Sequence, residues 1–338
     1  MAEVITGTTW TCYDGATMTP REIYGRTLTE MGKTDSRIVA ITADLAKTTA
    51  IVYFADAYPD RFFNVGIAEQ NMMGIAAGLA KTGLIPFAST MAIFACMRAG
   101  EQVRTDIAYQ NLPVKIIATH GGISFGHAGT THHCTEDFAI MRAIANMTVV
   151  CPADGIETSR VVRACIDIPG PVYIRIGRGF EPPVYENENY PFQIGKASLM
   201  QDGKDLTIIT CGIGVLQSIQ AAKTLATQDG LSIRILNMHT IKPVDREAIL
   251  KALNDTRRIL TIEEHNVVGG LGDAVGNVIA ESGKGCVFKK HGLLDEFAVI
   301  GYAEDLYTHY GLDSNGIVEK VRGIMGMEFE ADEDWDDE

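Results

Sequence analysis

Short runs rich in β-branched residues alternate with longer, alanine-rich segments along this 338-residue chain. That alternation restricts it to α/β architectures, in which each apolar run lies in a sheet covered by the helices between. In the first half the pattern predicts strands at Ile38–Thr42, Phe62–Val65, Ile85–Phe87, Val114–Ala118, Thr148–Cys151 and Val172–Ile176. Helices are predicted over Pro20–Lys33, Ala68–Lys81, Ala95–Ala108, Asp137–Ala145 and Gly155–Ile166, the first opened by Pro20 behind Thr19. A Pro- and acid-rich stretch, Glu181–Pro191, interrupts the alternation and reads as a linker. The second half resumes with strands at Leu206–Cys211, Ser232–Asn237, Arg258–Glu263 and Phe297–Gly301, and helices over Val215–Gln228, Asp245–Asn254 and Asp273–Glu281. The reading is two α/β domains, each a largely parallel sheet flanked by helices. They span 19–186 and 196–326, joined by a linker at 187–195, with an N-terminal arm at 1–18 and an acidic tail at 327–338.

Composition removes several function classes. Apolar residues at 46% and charged residues at 21% are ordinary for a globular protein. The longest uncharged stretch, Thr82–Met97, falls short of the ~20 apolar residues of a membrane span. Glu3 follows Met1 almost at once, without the basic stretch and apolar core of a leader, so the expected location is cytoplasmic. Net charge is −14, and eight of the acids fall in Glu328–Glu338, which reads as a solvated, solubilising tail. An acidic balance argues against nucleic acid or an anionic membrane as partner. Seven scattered cysteines without a C-x-x-C pair read as reduced thiols.

Three places can carry chemistry. Glu69 enters a helix otherwise made of small, uncharged residues, Ala68 to Ala80; a carboxylate carried into a buried helix needs a partner. Residues 119–133 form a glycine-rich loop after a predicted strand and hold four of the eight histidines: His120, His127, His132 and His133. Ligands gather at the carboxyl ends of parallel strands, so these imidazoles suit oxyanion binding or proton relay. Consecutive His132, His133 and Cys134 do not face one ion easily, and no metal site is assigned. Arg175 and Arg178, set among Gly177 and Gly179 at a strand end, suit a phosphate or, equally, a surface ion pair. Val268-Gly269-Gly270-Leu271-Gly272 lacks the order of a dinucleotide loop and reads as a turn before a helix.

Taken together, Ala43-Asp44-Leu45, Asn64-Val65-Gly66-Ile67-Ala68-Glu69-Gln70, Ser89-Thr90, Ala118-Thr119-His120, Gly129-x-Thr131-His132 and Arg178 resemble the C-terminal half of the thiamine-diphosphate transketolase family. The resemblance runs from about Thr19 to Gly326 and implies a pyrimidine-binding domain followed by the family's C-terminal domain. It implies ketol transfer: a two-carbon unit passes from a ketose phosphate, or a related anionic ketose, to an aldose through a thiamine diphosphate enamine. Glu69 matches the glutamate that shares a proton with the pyrimidine N1′, and Phe94 the aromatic residue stacked on that ring. Met91 stands where relatives often carry a second Phe, and Asp44 matches an aspartate beside the cofactor. Arg21, Thr48, His120 and Arg178 match the positions that hold substrate phosphate, and His132 a histidine that bonds substrate oxygens near the reacting carbon.

Two departures qualify the match. Relatives commonly carry Gly-Glu-Asp-Gly where this chain reads Gly126-His127-Ala128-Gly129, so Ala128 removes a hydroxyl-binding group and His127 replaces an acid. A changed sugar preference is the expectation: a branched, deoxy or additionally anionic substrate. The family's diphosphate- and Mg²⁺-binding elements, Gly-Asp-Gly and paired asparagines, also do not occur in this sequence. The resemblance therefore implies one subunit of a split transketolase, with the partner subunit holding diphosphate and metal in an α₂β₂ complex. A 1-deoxyxylulose-5-phosphate synthase fits less well because that family favours Asp-Arg at Thr119-His120. The β subunit of a 2-oxoacid dehydrogenase would not explain the phosphate-binding set. A non-catalytic scaffold is the alternative of a different class, and retention of Glu69, His120, His132 and Arg178 speaks against it.

Overall fold

A computed structural model describes residues 18–179 and 181–327. Most of the N-terminal arm and nearly all of the acidic tail lie outside the described residues. Twelve strands are present among the described residues: β1 Ile38–Thr42, β2 Phe62–Asn64, β3 Ile85–Met91, β4 Lys115–Thr119, β5 Thr148–Val150, β6 Val172–Arg175, β7 Ser198–Gln201, β8 Leu206–Thr210, β9 Ile233–Asn237, β10 Thr240–Lys242, β11 Arg258–Asn266 and β12 Val287–Leu293. They make a seven-stranded sheet, ordered β10-β5-β6-β4-β3-β1-β2, and a five-stranded sheet, ordered β12-β11-β8-β9-β7. Each is parallel except for one edge strand: β10 runs antiparallel to β5, and β7 to β9. This is the α/β architecture with two largely parallel sheets that the sequence implies.

Fully buried runs such as Ile38–Thr42 and Leu206–Thr210 show why these segments become central strands. Both faces are covered by helices, so neither face needs polar residues. The helix Pro20–Thr34 begins with a capping box in which Thr19 and Glu22 satisfy each other's backbone N–H groups. Gly25 within it lies so close to Ala50 that a Cβ would stand 2.0 Å from the Ala50 carbonyl oxygen. That close approach lays the second turn of the helix beside the loop after β1.

Four sequence expectations need correction. Phe297–Gly301 is not a strand: it is an irregular strap with Phe297, Val299 and Ile300 exposed. The last strand is β12, whose exposed Lys289 and Lys290 hide its apolar pattern, as suits an edge strand. The expected helix over Ala95–Ala108 is broken into π-helical segments, Phe94–Arg98 and Val103–Ala108, around one short turn at Gly100–Gln102. Finally, β10 leaves the second half of the chain to extend the first sheet, so one core cluster runs from Ile41 and Met72 through to Val275 and Val278.

Candidate active site

Because β1 to β4 and β6 are mutually parallel, the segments that follow them emerge along one edge. Asp44 follows β1, Glu69 opens the helix Glu69–Lys81 after β2, Phe94 follows β3, His120 follows β4 and Arg178 follows β6. Asp44 and His120 hold positive φ angles of 60° and 59°. Non-glycine residues seldom adopt that conformation, and two at one edge mark a constrained site.

The first group surrounds Glu69. Its carboxylate is buried, and both oxygens accept from Arg98 Nη1 at 2.9 Å. The same guanidinium lies 4.2 Å from the centroid of the Phe94 ring, so carboxylate, cation and aromatic face form one stack. The π-helical widening of Phe94–Arg98 is what places Phe94 and Arg98 side by side; such widenings recur at functional sites. Met91 ends β3 beside Thr119 and is almost fully buried, forming floor rather than wall. Asp44 stands at the rim: its N–H donates to Asn64 Oδ1 at 3.0 Å, and Asn64 Nδ2 donates back to its carboxylate at 3.2 Å.

The second group gathers on Phe125. His120 lies 4.8 Å from its ring centroid, His127 5.1 Å and His132 5.5 Å, the last two edge-on. The Arg178 guanidinium covers the same ring at 4.8 Å. Edge-on imidazoles and a cation over an aromatic face are the favoured geometries for such a platform. Arg21 anchors to the Thr48 carbonyl oxygen, and burial first, then the field of Arg178, lowers its pKa. His120 is buried, with Nδ1 2.8 Å from Thr119 Oγ1. Burial first, then Arg21, Arg178 and His132, push its pKa down to about 3. It is therefore neutral at physiological pH, a dipolar partner beside two permanent cations. Two guanidiniums and a neutral imidazole at a strand terminus suit a phosphate-like anion.

His132 joins the groups. Its ring meets Phe94 edge-on at 5.6 Å and Phe125 at 5.5 Å, and Nδ1 lies 2.9 Å from Thr131 Oγ1. Ala128 lies half-buried in the turn Gly126–Ala128, and His127 is exposed beside it.

Other candidates from the sequence fall outside this site. Arg175 is buried, 3.7 Å from Asp137 and 3.4 Å from Glu264, with its guanidinium over Phe138, so it braces the two sheets and does not face the anion pocket. His133 is buried with Nε2 2.9 Å from the Gly126 carbonyl oxygen. The Val268–Gly272 run is the turn before the helix Leu271–Ser282, with Arg142 on the Gly269 and Gly270 carbonyls. Arg98 and Phe125 are the site residues that sequence reasoning missed. The only signals were an arginine four residues after Phe94 and a lone aromatic inside a glycine-histidine loop.

The transketolase pyrimidine-binding-domain family matches residues 16–181, and the transketolase C-terminal-domain family matches residues 195–317. The chain belongs to the transketolase family. It is 41% identical to one of the subunits of the apulose-4-phosphate transketolase of Phocaeicola vulgatus, over 88% of this chain and 94% of that one. It is 39% identical to a 6-deoxy-6-sulfo-D-fructose transketolase subunit of a Clostridium species, over 90% of this chain and 94% of that one. A solved split-gene transketolase, described as an inactive β4 tetramer, superposes with a TM-score of 0.84 at 41% identity, covering 92% of this chain and all of the other. By contrast, the chain spans about half of the 1-deoxy-D-xylulose-5-phosphate synthase of Halothermothrix orenii, at 37% identity over 90% of this chain and 48% of the other. Transketolase membership implies dependence on thiamine diphosphate. Phe94 and the buried Glu69 carboxylate, brought together on Arg98, are the kinds of group that an aminopyrimidine would need. Among the described residues there is no group of three or more His, Cys, Asp or Glu placed to hold an ion. Among the same residues no helix is long and apolar enough to cross a membrane.

Proposed function

We propose that this chain is the catalytic β-type subunit of a two-component transketolase that moves a two-carbon ketol unit from an anionic ketose to an aldose. One observation carries the reading: His132 touches both the Phe94–Glu69 group and the Phe125 platform, so the cofactor's reactive end and the substrate's anion share one edge of one sheet. Thiamine diphosphate, when bound, supplies a nucleophilic thiazolium carbon. Phe94 would stack on its pyrimidine, Glu69 would share a proton with the ring nitrogen N1′, and Asp44 and Met91 would line its side of the pocket. His132 orients the substrate oxygens next to the reacting carbon, and neutral His120 donates or accepts as the carbonyl changes charge. Arg21, Thr48, His120 and Arg178 hold the anion, and binding there fixes the carbonyl in line for attack.

The named substrates of the relatives support an anionic sugar: one carries a phosphate and another a sulfonate. Loss of the acid pair at His127-Ala128 fits a substrate outside the common pentose and hexose phosphates. Diphosphate and Mg²⁺ are held mainly by a partner subunit, in an α₂β₂ assembly. The inactive β4 tetramer of the relative supports a β-type chain that self-associates but does not turn over alone. Native mass spectrometry of the chain purified with its associated proteins tests this reading. A second subunit carrying Gly-Asp-Gly and Asn-Asn elements, with thiamine diphosphate and Mg²⁺ bound, is expected; a cofactor-free homo-oligomer from cells that make both would favour a scaffold.

A further inference from the structure

The histidine loop after β4 is closed at its neck. Gly122 and Cys134 pair as an antiparallel bridge, Gly122 N donating to the Cys134 carbonyl at 2.9 Å and Cys134 N to the Gly122 carbonyl at 2.8 Å. Phe125, His127 and His132 all hang between those two residues. The neck is held from the second domain. Glu264, near the end of β11, accepts from Ile123 N–H at 2.8 Å through Oε1, and the same oxygen accepts from Tyr307 Oη at 3.1 Å. Its Oε2 lies 3.4 Å from Arg175 Nη2, which also donates to the Glu264 carbonyl at 2.7 Å. Two residues on, Asn266 N donates to the Thr135 carbonyl at 2.9 Å, so both sides of the neck rest on β11. The fit is tight: Gly122 has a φ of 59°, and a Cβ there would lie 2.2 Å from Arg175 Nη2 and 2.3 Å from Glu264 Cδ. Tyr307, Ser124 and Arg178 line a cavity of about 560 Å³ between the domains, so one of the groups bonded to Glu264 also borders the open side of the site.

We propose that Glu264 is a positioning residue supplied by the second domain: it fixes the neck of the histidine loop, and through the neck the placement of His132 and Phe125 against Phe94. Ile123 is fully buried, so its N–H has no water to turn to and depends on this acceptor. A carboxylate in that place makes a charge-assisted bond, stronger than a neutral amide would make. Glu263, one residue earlier, turns the other way, as successive strand side chains do. It accepts from Leu271 and Gly272 N–H at 2.6 and 2.8 Å, capping a helix of its own domain without touching the loop. Two adjacent buried glutamates thus serve different tasks, and the second is the internal control for the first. The inference rests on the proposed ketol transfer for the reaction it serves, while the tether itself is readable without cofactor or turnover.

Three conservative variants test this. Glu264→Asp draws the carboxylate back by one methylene, out of reach of Ile123 N–H; Glu264→Gln keeps an oxygen within reach; Glu263→Asp makes the same shortening at the neighbouring cap. NMR of ¹⁵N-labelled imidazoles and amides in the full chain reads the loop, urea unfolding reads stability, and steady-state kinetics of the complex with its partner subunit reads the reaction. In Glu264→Asp the Ile123 amide and His132 ring resonances are expected to move, and kcat/KM to fall at least about tenfold, since a misplacement of about 1 Å can cost as much as 10²-fold. The loss should fall on kcat as well as KM, because His132 and Phe125 both hang from the neck. Glu264→Gln should restore the resonances and stay within about threefold of wild-type kcat/KM. Glu263→Asp should lower the unfolding midpoint yet leave loop and kinetics unchanged. Resonances and kinetics unmoved in Glu264→Asp, or moved equally in Glu263→Asp, would overturn the positioning role. If the resonances follow Glu264 as described and the reconstituted wild-type complex transfers no ketol unit, the proposed function fails and the tether stands.

Discussion

The two sheets of this chain are built alike, but their polar groups meet different fates. At the carboxyl edge of the first sheet, His127 is exposed and His132 half-buried, although Glu69 and His120 beside them are enclosed. At the end of β11 in the second, the polar groups are consumed by the protein. Glu263 accepts from the Leu271 and Gly272 N–H groups, and Glu264 accepts from Ile123 N–H, Tyr307 and Arg175. His265 stacks on Phe138. A shared fold thus does not give a shared role: the first edge keeps exposed and half-buried polar side chains, whereas the second encloses its own. The Arg175–Arg178 pair makes the point over three residues, the first enclosed by acids and the second laid over Phe125 at the cavity wall.

The largest effect is expected where the site meets the cofactor. Glu69→Ala should lower kcat of the reconstituted complex by about 10³-fold, within the usual range for losing a general acid or base, and unchanged turnover would return the scaffold reading to the front. On the brace side, Arg175→Met removes the shared cation of Asp137 and Glu264. Leaving those buried acids unpaired should destabilise the chain by about 3–5 kcal/mol, read from urea unfolding; a neutral result would mean the brace is no brace. A smaller effect belongs to the platform. Phe125→Leu should raise KM for a ketose phosphate about tenfold, the scale of one lost cation–π contact with its edge-on neighbours. The loss should show in KM more than in kcat, because the ring positions the anion set and does not touch the reacting atoms; equal loss in both would make Phe125 merely structural.

The mildest effect separates the regions by pH. Burial raises the Glu157, Glu263 and Glu264 carboxyls to about 7, so the folded state holds protons that the unfolded chain releases near its ordinary 4.5. Their contribution to stability is complete below that ordinary value and is lost as pH rises through about 7. His120, pushed down to about 3, works in the opposite sense: its contribution is present above the ordinary 6.5 and is lost as pH falls toward 3. Unfolding midpoints measured from pH 5 to 8 should therefore decline less steeply on the alkaline side in Glu157→Gln, with the Glu263 and Glu264 shares remaining. A decline of unchanged slope in that variant would refute the assignment.

Much of this was legible from the sequence because it is local. The alternating runs marked β1, β4, β6, β8 and β9, and the glycine-histidine loop announced an edge with chemistry. Glu69, His120, His132 and Arg178 could be singled out because each breaks the character of its segment. What stayed hidden depends on non-local contacts. Nothing in the pattern says that Arg98 turns onto Glu69, that Phe125 collects three imidazoles, or that Thr240–Lys242 crosses to the other sheet. The strap was misread for a physical reason: its apolar residues look like a strand, yet they face outward beside the histidine loop.

The central claim is that this chain carries the pyrimidine and substrate half of an active site and depends on a partner for the diphosphate and metal half. Calorimetric titration of thiamine diphosphate with Mg²⁺ into the chain alone, and into the chain with its partner, tests it most directly. Weak or undetectable binding alone, with tight binding and ketol transfer once the partner is present, is the predicted result. Tight, Mg²⁺-dependent binding and ketol transfer by this chain alone would contradict it.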